Sequence, residues 1–233
     1  MIAGIDEAGK GPVLGPMCVA GVLLDENKLG RLARLGVKDS KKLTPKKREA
    51  LSVEIKKLAD RFFILEVSPG QIDELRKVMT MNKIMVACYV KVLEELMPDS
   101  AFVDAADVIA QRFGENIKKK YSGDLKITSE HNADEKYPIV SAASIIAKVR
   151  RDELVRNIEK TVGTEIGSGY PSDRKTITFL EKWVMEHGSL PDYARSSWET
   201  SKRLRRSSGK PDHVSPIVTF SILSPFAIFS ATS

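Results

Sequence analysis

The sequence predicts an α/β fold: a mixed β-sheet flanked by helices, followed by a C-terminal helical region. Three observations lead there. Short apolar runs rich in valine and isoleucine alternate with stretches of helical period. The first two apolar runs, at residues 1–5 and 16–24, flank a glycine loop, as in an antiparallel hairpin opening a mixed sheet. Beyond Gly167, helix start and stop signals replace strand signals. The chain has 233 residues and a formal net charge of +6. That length suits one large domain with a sizeable core, and the basic excess is compatible with a nucleic-acid partner without demanding one.

Residues 1–5 read as a central strand, because they are fully apolar. Asp6 and Glu7 end the run. Adjacent strand residues point to opposite faces, so these carboxylates share one site only if the strand ends or bends there. Ala8-Gly9-Lys10-Gly11-Pro12 supplies the bend, and its small residues leave backbone N–H groups open to a phosphate or sugar. Residues 16–24 form a second strand, closed by the turn Asp25-Glu26-Asn27, and residues 28–35 a short basic helix ending at Gly36. Thr44 caps a helix with Pro45 at its first position, running to about Ala59 with Leu51, Ile55 and Leu58 on one face. Lys41 and Lys42 precede that N-terminus, where the helix dipole and open N–H groups also favour an anion; a solvated basic face is the plainer alternative. Residues 62–67 are a third strand, and Ser68-Pro69-Gly70-Gln71 is a capping box opening a helix through Arg76. A long helix over 81–96 carries Ile84, Met85, Cys88, Val92 and Leu96 as a core stripe.

Residues 101–103 make a brief buried strand that Asp104 ends. A carboxylate there costs desolvation unless it is paired or binds a cation. Asp107 is expected to cap a helix over 108–113, and residues 125–128 form another strand. Asp134 precedes a small-residue helix over 140–152 by one turn, as a dipole partner or as a metal-facing carboxylate, and Glu135 beside it reads as solvated. A second glycine loop, Gly167-Ser168-Gly169-Tyr170-Pro171, exposes Tyr170. Asp173 caps a helix over 176–186 that Gly188 ends, and Arg195-Ser196-Ser197-Trp198 leads into a last helix to about Arg205. Residues 206–233 form a tail of unknown role, linker-like and then apolar, too short to cross a membrane. Cys18 and Cys88 read as buried packing residues, and His131, His187 and His213 lack zinc-ligand spacing. With no leader-like N-terminal pattern, a cytoplasmic protein is expected.

The stretch Gly4-Ile5-Asp6-Glu7-Ala8-Gly9-Lys10-Gly11-Pro12 resembles the N-terminal signature of the type 2 ribonucleases H, the ribonuclease HII family, in its archaeal form. Lys10 stands where that signature carries arginine. The resemblance continues through Asp39-Ser40-Lys41-Lys42-Leu43, through Ala133-Asp134 and the following Pro138, and through Ser141-Ala142-Ala143-Ser144-Ile145-Ile146-Ala147-Lys148-Val149 to the loop of Tyr170. It departs at Asn132 and Glu199, where lysine is usual. It implies a ribonuclease H-like catalytic domain over residues 1–205, including the C-terminal helical region.

The resemblance implies that Asp6, Glu7, Asp104 and Asp134 are the catalytic, metal-binding set. Carboxylates clustered without histidine or thiol suit hard cations, Mg²⁺ or Mn²⁺, and two such ions would support in-line phosphodiester hydrolysis. Gly9, Lys10, Gly11, Lys41 and Tyr170 are the implied substrate contacts, with Lys42, Lys148 and Arg195 added. The implied activity is an endoribonuclease that hydrolyses the RNA strand of RNA–DNA hybrids and cuts 5′ of single ribonucleotides embedded in duplex DNA. Its products would carry a 5′-phosphate and a 3′-hydroxyl, a chemistry of DNA replication and repair. The expected partners are RNA–DNA hybrid and ribonucleotide-containing DNA duplex, with no membrane and a monomeric protein. The clamp-binding signature common at the C-terminus of archaeal relatives is absent, so the tail gives no support for a sliding-clamp contact. Two other readings stand beside this one. A DNA-directed metal-dependent nuclease or recombinase-like enzyme on a similar fold would not need Gly9-Lys10-Gly11 together with Tyr170. A non-catalytic basic nucleic-acid-binding module would use its carboxylates only structurally.

Overall fold

A computed structural model describes residues 1–37 and 43–207. The contacts expected of Lys41 and Lys42 lie outside the described residues, as does the tail from residue 208. The chain divides into two compact units. One comprises Met1–Ala8, Cys18–Glu66 and Thr80–Asp152; the other comprises Gly9–Met17, Val67–Met79 and the chain from Glu153.

The first unit is built on a five-stranded sheet in the order β3-β2-β1-β4-β5. Its strands are β1 (Ile2–Ala8), β2 (Met17–Leu24), β3 (Arg61–Val67), β4 (Ser100–Asp104) and β5 (Lys126–Glu130). β1 runs antiparallel to β2 and parallel to β4, and β4 runs parallel to β5, so the sheet is mixed as expected. β1 is longer than its apolar run. β2 supplies partners to its end, with Asp6 opposite Ala20, Glu7 opposite Val19 and Ala8 opposite Cys18. The two carboxylates therefore lie within the strand, not beyond it, and alternation sends them to opposite faces.

Two glycines show what covers each face. A Cβ on Gly4 would fall 2.3 Å from the Ile139 carbonyl oxygen, so helix α7 (Pro138–Val162) lies against the face that Gly4 shares with Asp6. A Cβ on Gly21, the partner of Ile5, would fall 2.5 Å from Val92, so helix α4 (Met81–Leu96) covers the face that Ile5 shares with Glu7. The small residues of α7 serve this close approach: Ala142, Ala143 and Ala147 are fully buried in the same cluster as Ala20 and Val22.

The remaining helices are α1 (Leu29–Arg34), α2 (Pro45–Leu58), α3 (Pro69–Val78), α5 (Ala110–Lys120), α6 (Ala133–Lys136), α8 (Arg174–His187) and α9 (Glu199–Ser207). Thr44 caps α2, Ser68 and Gln71 form the reciprocal capping box of α3, and Asp173 caps α8, as their side-chain oxygens predict. α7 continues past its expected end at residue 152, since nothing breaks it before Gly163, whose φ is +73°. Asp107 is a correction. It does not cap a helix over 108–113; α5 begins at Ala110 behind Ile109, which makes no side-chain cap bond. Asp107 instead accepts two bonds from the Arg112 guanidinium, which hold its carboxyl below the usual carboxylate range.

The second unit gathers the glycine loop, α3, the C-terminal part of α7, α8 and α9. Its core includes Leu14, Val155, Ile166, Phe179 and Leu180. Cys18 and Cys88 are buried thiols, and burial pushes the Cys88 thiol up. Among the described residues, no helix is long and apolar enough to cross a membrane.

Candidate active site

The carboxylates belong to the sheet unit. Asp6 is 5% exposed on β1, and one of its oxygens accepts from the Glu7 amide at 2.7 Å. Burial, then the charges of Glu7 and Asp104, push its carboxyl well above the usual carboxylate range; a bond from the Ser144 hydroxyl on α7 opposes that shift. Asp104 ends β4, the strand beside β1, and accepts from the Ala133 amide at 2.7 Å. Register places Phe102 beside Gly4, so Asp104, two residues on, shares the Asp6 face. Asp134 is buried in the first turn of α6, an element the sequence reading did not anticipate.

Glu7 lies on the α4 side. Its carboxylate accepts from the hydroxyl of Tyr89, whose oxygen also lies 3.1 Å from the Asp104 main-chain oxygen. Tyr89 is fully buried on α4, edge-on to Phe113, and burial first, then the Glu7 and Asp6 charges, raise its phenol well above the ordinary value. The stripe of α4 reads as core, and it is core. A tyrosine within it still needs a partner for its hydroxyl, and that requirement was the available signal for Tyr89. On the opposite face, Lys148 donates to Ser144 at 2.7 Å and stands 4.0 Å from Asp134. Ser144 thus lies between Asp6 and the Lys148 ammonium. Lys148, expected as a substrate contact, is placed among the carboxylates.

Of the expected substrate contacts, Gly9, Lys10, Gly11 and Tyr170 belong to the second unit, and there the structure brings the two glycine loops together. The amides of Val13 and Leu14 donate to the Gly169 oxygen at 2.8 and 3.1 Å. A Cβ on Gly11 would lie 3.5 Å from Cε1 of Tyr170, so the tyrosine ring runs alongside Gly11. Tyr170 is 41% exposed, as its glycine neighbours predict. Asp173 and Thr176 hold its loop by accepting from the amides of Ser168 and Gly169 at 2.6 and 3.0 Å.

Arg195, an expected substrate contact, also lies in this unit. It has no exposed surface, and its guanidinium donates to the carbonyls of Gly9, Lys10 and Gly15. In this structure it is a buried support of the glycine loop. Trp198 adds a bond from Nε1 to the Gly11 carbonyl at 3.1 Å, and Asp73 of α3 accepts from the amides of Ser196 and Ser197. Neither Trp198 nor Asp73 carries a local sequence signal for these roles.

The donor chemistry of the sheet site fits a hard divalent cation. Asp6 is raised first by burial and then by the like charges of Glu7 and Asp104, which such an ion would neutralise. As the side chains stand, no group of three or more His, Cys, Asp or Glu among the described residues is arranged to hold a metal. Mg²⁺ typically takes only one or two carboxylates and completes its shell with water and substrate phosphate, so Asp6 and Asp104 meet its minimum.

Comparison with known proteins agrees with this geometry. The family model described as Ribonuclease HII matches residues 3–201, which include all four carboxylates and both glycine loops. The chain is 60% identical over 213 residues to ribonuclease HII of Methanosarcina barkeri, covering 88% of this chain and 95% of that one. Among solved structures, the ribonuclease H2 of Pyrococcus horikoshii superposes with a TM-score of 0.85 at 41% identity, covering 90% of this chain and 99% of that one. The ribonuclease HII of Archaeoglobus fulgidus, solved in complex with PCNA, gives 0.81 at 44% identity, covering 88% and 97%. The chain belongs to the ribonuclease HII family of hydrolytic endonucleases.

Proposed function

We propose that the protein hydrolyses the RNA strand of RNA–DNA hybrids and cuts 5′ of single ribonucleotides embedded in duplex DNA, leaving a 5′-phosphate and a 3′-hydroxyl. The observation that carries the chemistry is the buried Asp6 carboxyl, raised by Glu7 and Asp104. Such a site favours a divalent cation over its own empty state. Asp6, Asp104 and Asp134 would hold Mg²⁺ or Mn²⁺, two ions during catalysis, together with Glu7, which leaves β1 on the other face yet is near enough for its charge to raise Asp6. The chemistry these ions supply is activation of the attacking water and stabilisation of the leaving oxygen. The chain's own part is to orient the acids. Tyr89 holds Glu7, the Ala133 amide holds Asp104, and Ser144 holds Asp6.

Selectivity is assigned to Gly9, Lys10, Gly11 and Tyr170. A ribose 2′-hydroxyl both donates and accepts, so backbone groups of the first loop can read it. The Tyr170 face would pack on the adjoining deoxyribose. That the ring lies beside Gly11 supports this division of labour. The test is incubation with Mg²⁺ and an all-DNA duplex carrying one ribonucleotide. A nick 5′ of that nucleotide, with a 5′-phosphate end, is expected. Cleavage of the matching all-DNA duplex at the same rate, or no cleavage of either, would overturn the reading.

A further inference from the structure

We propose that Arg195 and Trp198 form a carbonyl clamp that turns the amides of Lys10 and Gly11 outward and thereby sets the ribose selectivity of the enzyme. The proposal rests on the reading of Gly9-Lys10-Gly11 as the ribose-recognition loop. Its ground is the direction of three successive carbonyls. Arg195 Nη2 donates to the Gly9 oxygen, Nη1 to the Lys10 oxygen at 2.8 Å, and Trp198 Nε1 to the Gly11 oxygen at 3.1 Å. Arg195 Nε and Nη2 also donate to the Gly15 oxygen, at 3.1 and 3.0 Å, which ties the far end of the loop to the same guanidinium.

Consecutive carbonyls alternate in a strand, so three directed at one cluster of donors is a conformation that needs external support. Gly9 adopts it with a φ of +86°. Every peptide here is trans, and across a trans peptide the C=O of one residue and the N–H of the next point in opposite directions. With the Gly9 and Lys10 carbonyls on Arg195, the amides of Lys10 and Gly11 point away from it. The Gly11 carbonyl precedes Pro12, which has no N–H, so the series of directed amides ends there.

Arginine suits this position because its planar fork presents several donors in fixed directions, whereas a lysine ammonium is a single point charge. The fork is braced from two sides. Its Cζ lies 4.9 Å from the centre of the Trp198 ring, and Asp73 on α3 accepts from the Ser196 amide, the Ser197 amide and the Ser197 hydroxyl at 2.6–2.9 Å. The Gly11 backbone also borders Tyr170, so the outward amides and the aromatic ring occupy neighbouring positions. Arg195 and Trp198 are positioning residues: they act on substrate through the loop backbone.

The test separates selectivity from stability. Fluorescence anisotropy without divalent ions compares a duplex carrying one ribonucleotide with the identical all-DNA duplex, for wild type, Arg195→Lys and Trp198→Phe. Wild type is expected to prefer the ribonucleotide duplex. Arg195→Lys should lose about tenfold or more of its affinity for that duplex, and Trp198→Phe about fivefold, with little change on all-DNA. A role confined to holding the fold would lower both affinities together. Should Arg195→Lys fail to fold, Trp198→Phe still decides, because it keeps an aromatic ring beside the guanidinium and removes the indole N–H that bonds Gly11. Wild-type preference retained in every folded variant overturns the clamp. No preference in wild type overturns the ribose-reading role of the loop, and the clamp with it.

Discussion

The sheet unit and the second unit treat polar groups in opposite ways. On β1, Asp6 is buried beside Glu7 and Asp104, and that burial and those charges drive its carboxyl far up. In the second unit, the carbonyls of Gly9, Lys10, Gly11 and Gly15 each rest on a donor from Arg195 or Trp198. One region retains electrostatic repulsion that an incoming cation relieves. The other is saturated before substrate arrives, so its outward amides need little ordering on binding. On the proposed function, reaction chemistry and substrate reading make different demands on the same chain, and substitutions in the two regions should fail in different ways.

The largest contrast is expected from Asp104→Asn. Removing one charge from the set that would hold the ions should lower the cleavage rate by at least about a hundredfold. The second unit is untouched, so affinity for an RNA–DNA hybrid measured without divalent ions should stay near wild type. Cleavage retained at ordinary Mg²⁺ would show that Asp104 is not among the ligands. Tyr170→Ala should do the converse. It should slow cutting at a single embedded ribonucleotide by about ten- to a hundredfold, since stacking-type contacts are worth about 1–3 kcal/mol. Cleavage within a continuous RNA strand should fall much less. Equal losses on both substrates would make Tyr170 a packing anchor.

How far each region is legible in the sequence follows from how local its causes are. Asp6, Glu7 and Asp104 stand out because acids interrupt apolar runs, and Tyr170 because glycines flank it. The end of β1 is misplaced because it depends on pairing with Val19 and Cys18, a contact that apolar patterning along β1 cannot register. Asp107 resembles a helix cap from its neighbours alone, yet Arg112 claims its carboxylate. Arg195 enters the sequence reading only as an added substrate contact. Its burial depends on carbonyls that lie some 180 residues earlier in the chain, and no local pattern reports them. Tyr89 carries a legible signal: a buried phenol in an apolar helix requires a polar partner, and Asp6, Glu7 and Asp104 are acids that the apolar pattern itself singles out.

Tyr89→Phe therefore probes the sheet region without touching a carboxylate. The hydroxyl donates to Glu7 on β1 and lies beside the Asp104 main-chain oxygen on β4. Groups that orient metal ligands commonly affect metal affinity or activity by about tenfold or more. The variant should bind Mn²⁺ about tenfold more weakly, read by paramagnetic resonance of the free ion, while its affinity for hybrid without divalent ions is unchanged. Unaltered Mn²⁺ affinity would restrict Tyr89 to a packing role beside Phe113.

The smallest effect, and the most direct measure of the repulsion in the sheet unit, is the stability of Asp6→Asn without divalent ions. The folded-state value of Asp6 lies above its unfolded value, which is about 3.9. An acid raised in this way contributes stability that is fully present below the unfolded value and is lost as pH rises through the folded one. Wild type in chelator should therefore lose stability from about pH 4 upward on account of this group. Burial contributes most to the shift, then the charges of Glu7 and Asp104, and the Ser144 hydroxyl and the Glu7 amide oppose it. Asparagine keeps the shape and removes the charge. At pH 7 the variant should melt higher than wild type, by about 2–4 °C for each kcal/mol of repulsion removed. At pH 4, where wild-type Asp6 is protonated, the advantage should shrink or reverse. Millimolar Mg²⁺ at pH 7 should raise wild type more than the variant and narrow the gap. Thermal melts of both proteins across this pH range, with chelator and with Mg²⁺, check all three outcomes. A variant that melts below wild type at pH 7 in chelator would mean that the bonds Asp6 makes with the Glu7 amide and Ser144 outweigh the repulsion. The sheet unit would then be satisfied in the same sense as the glycine loop.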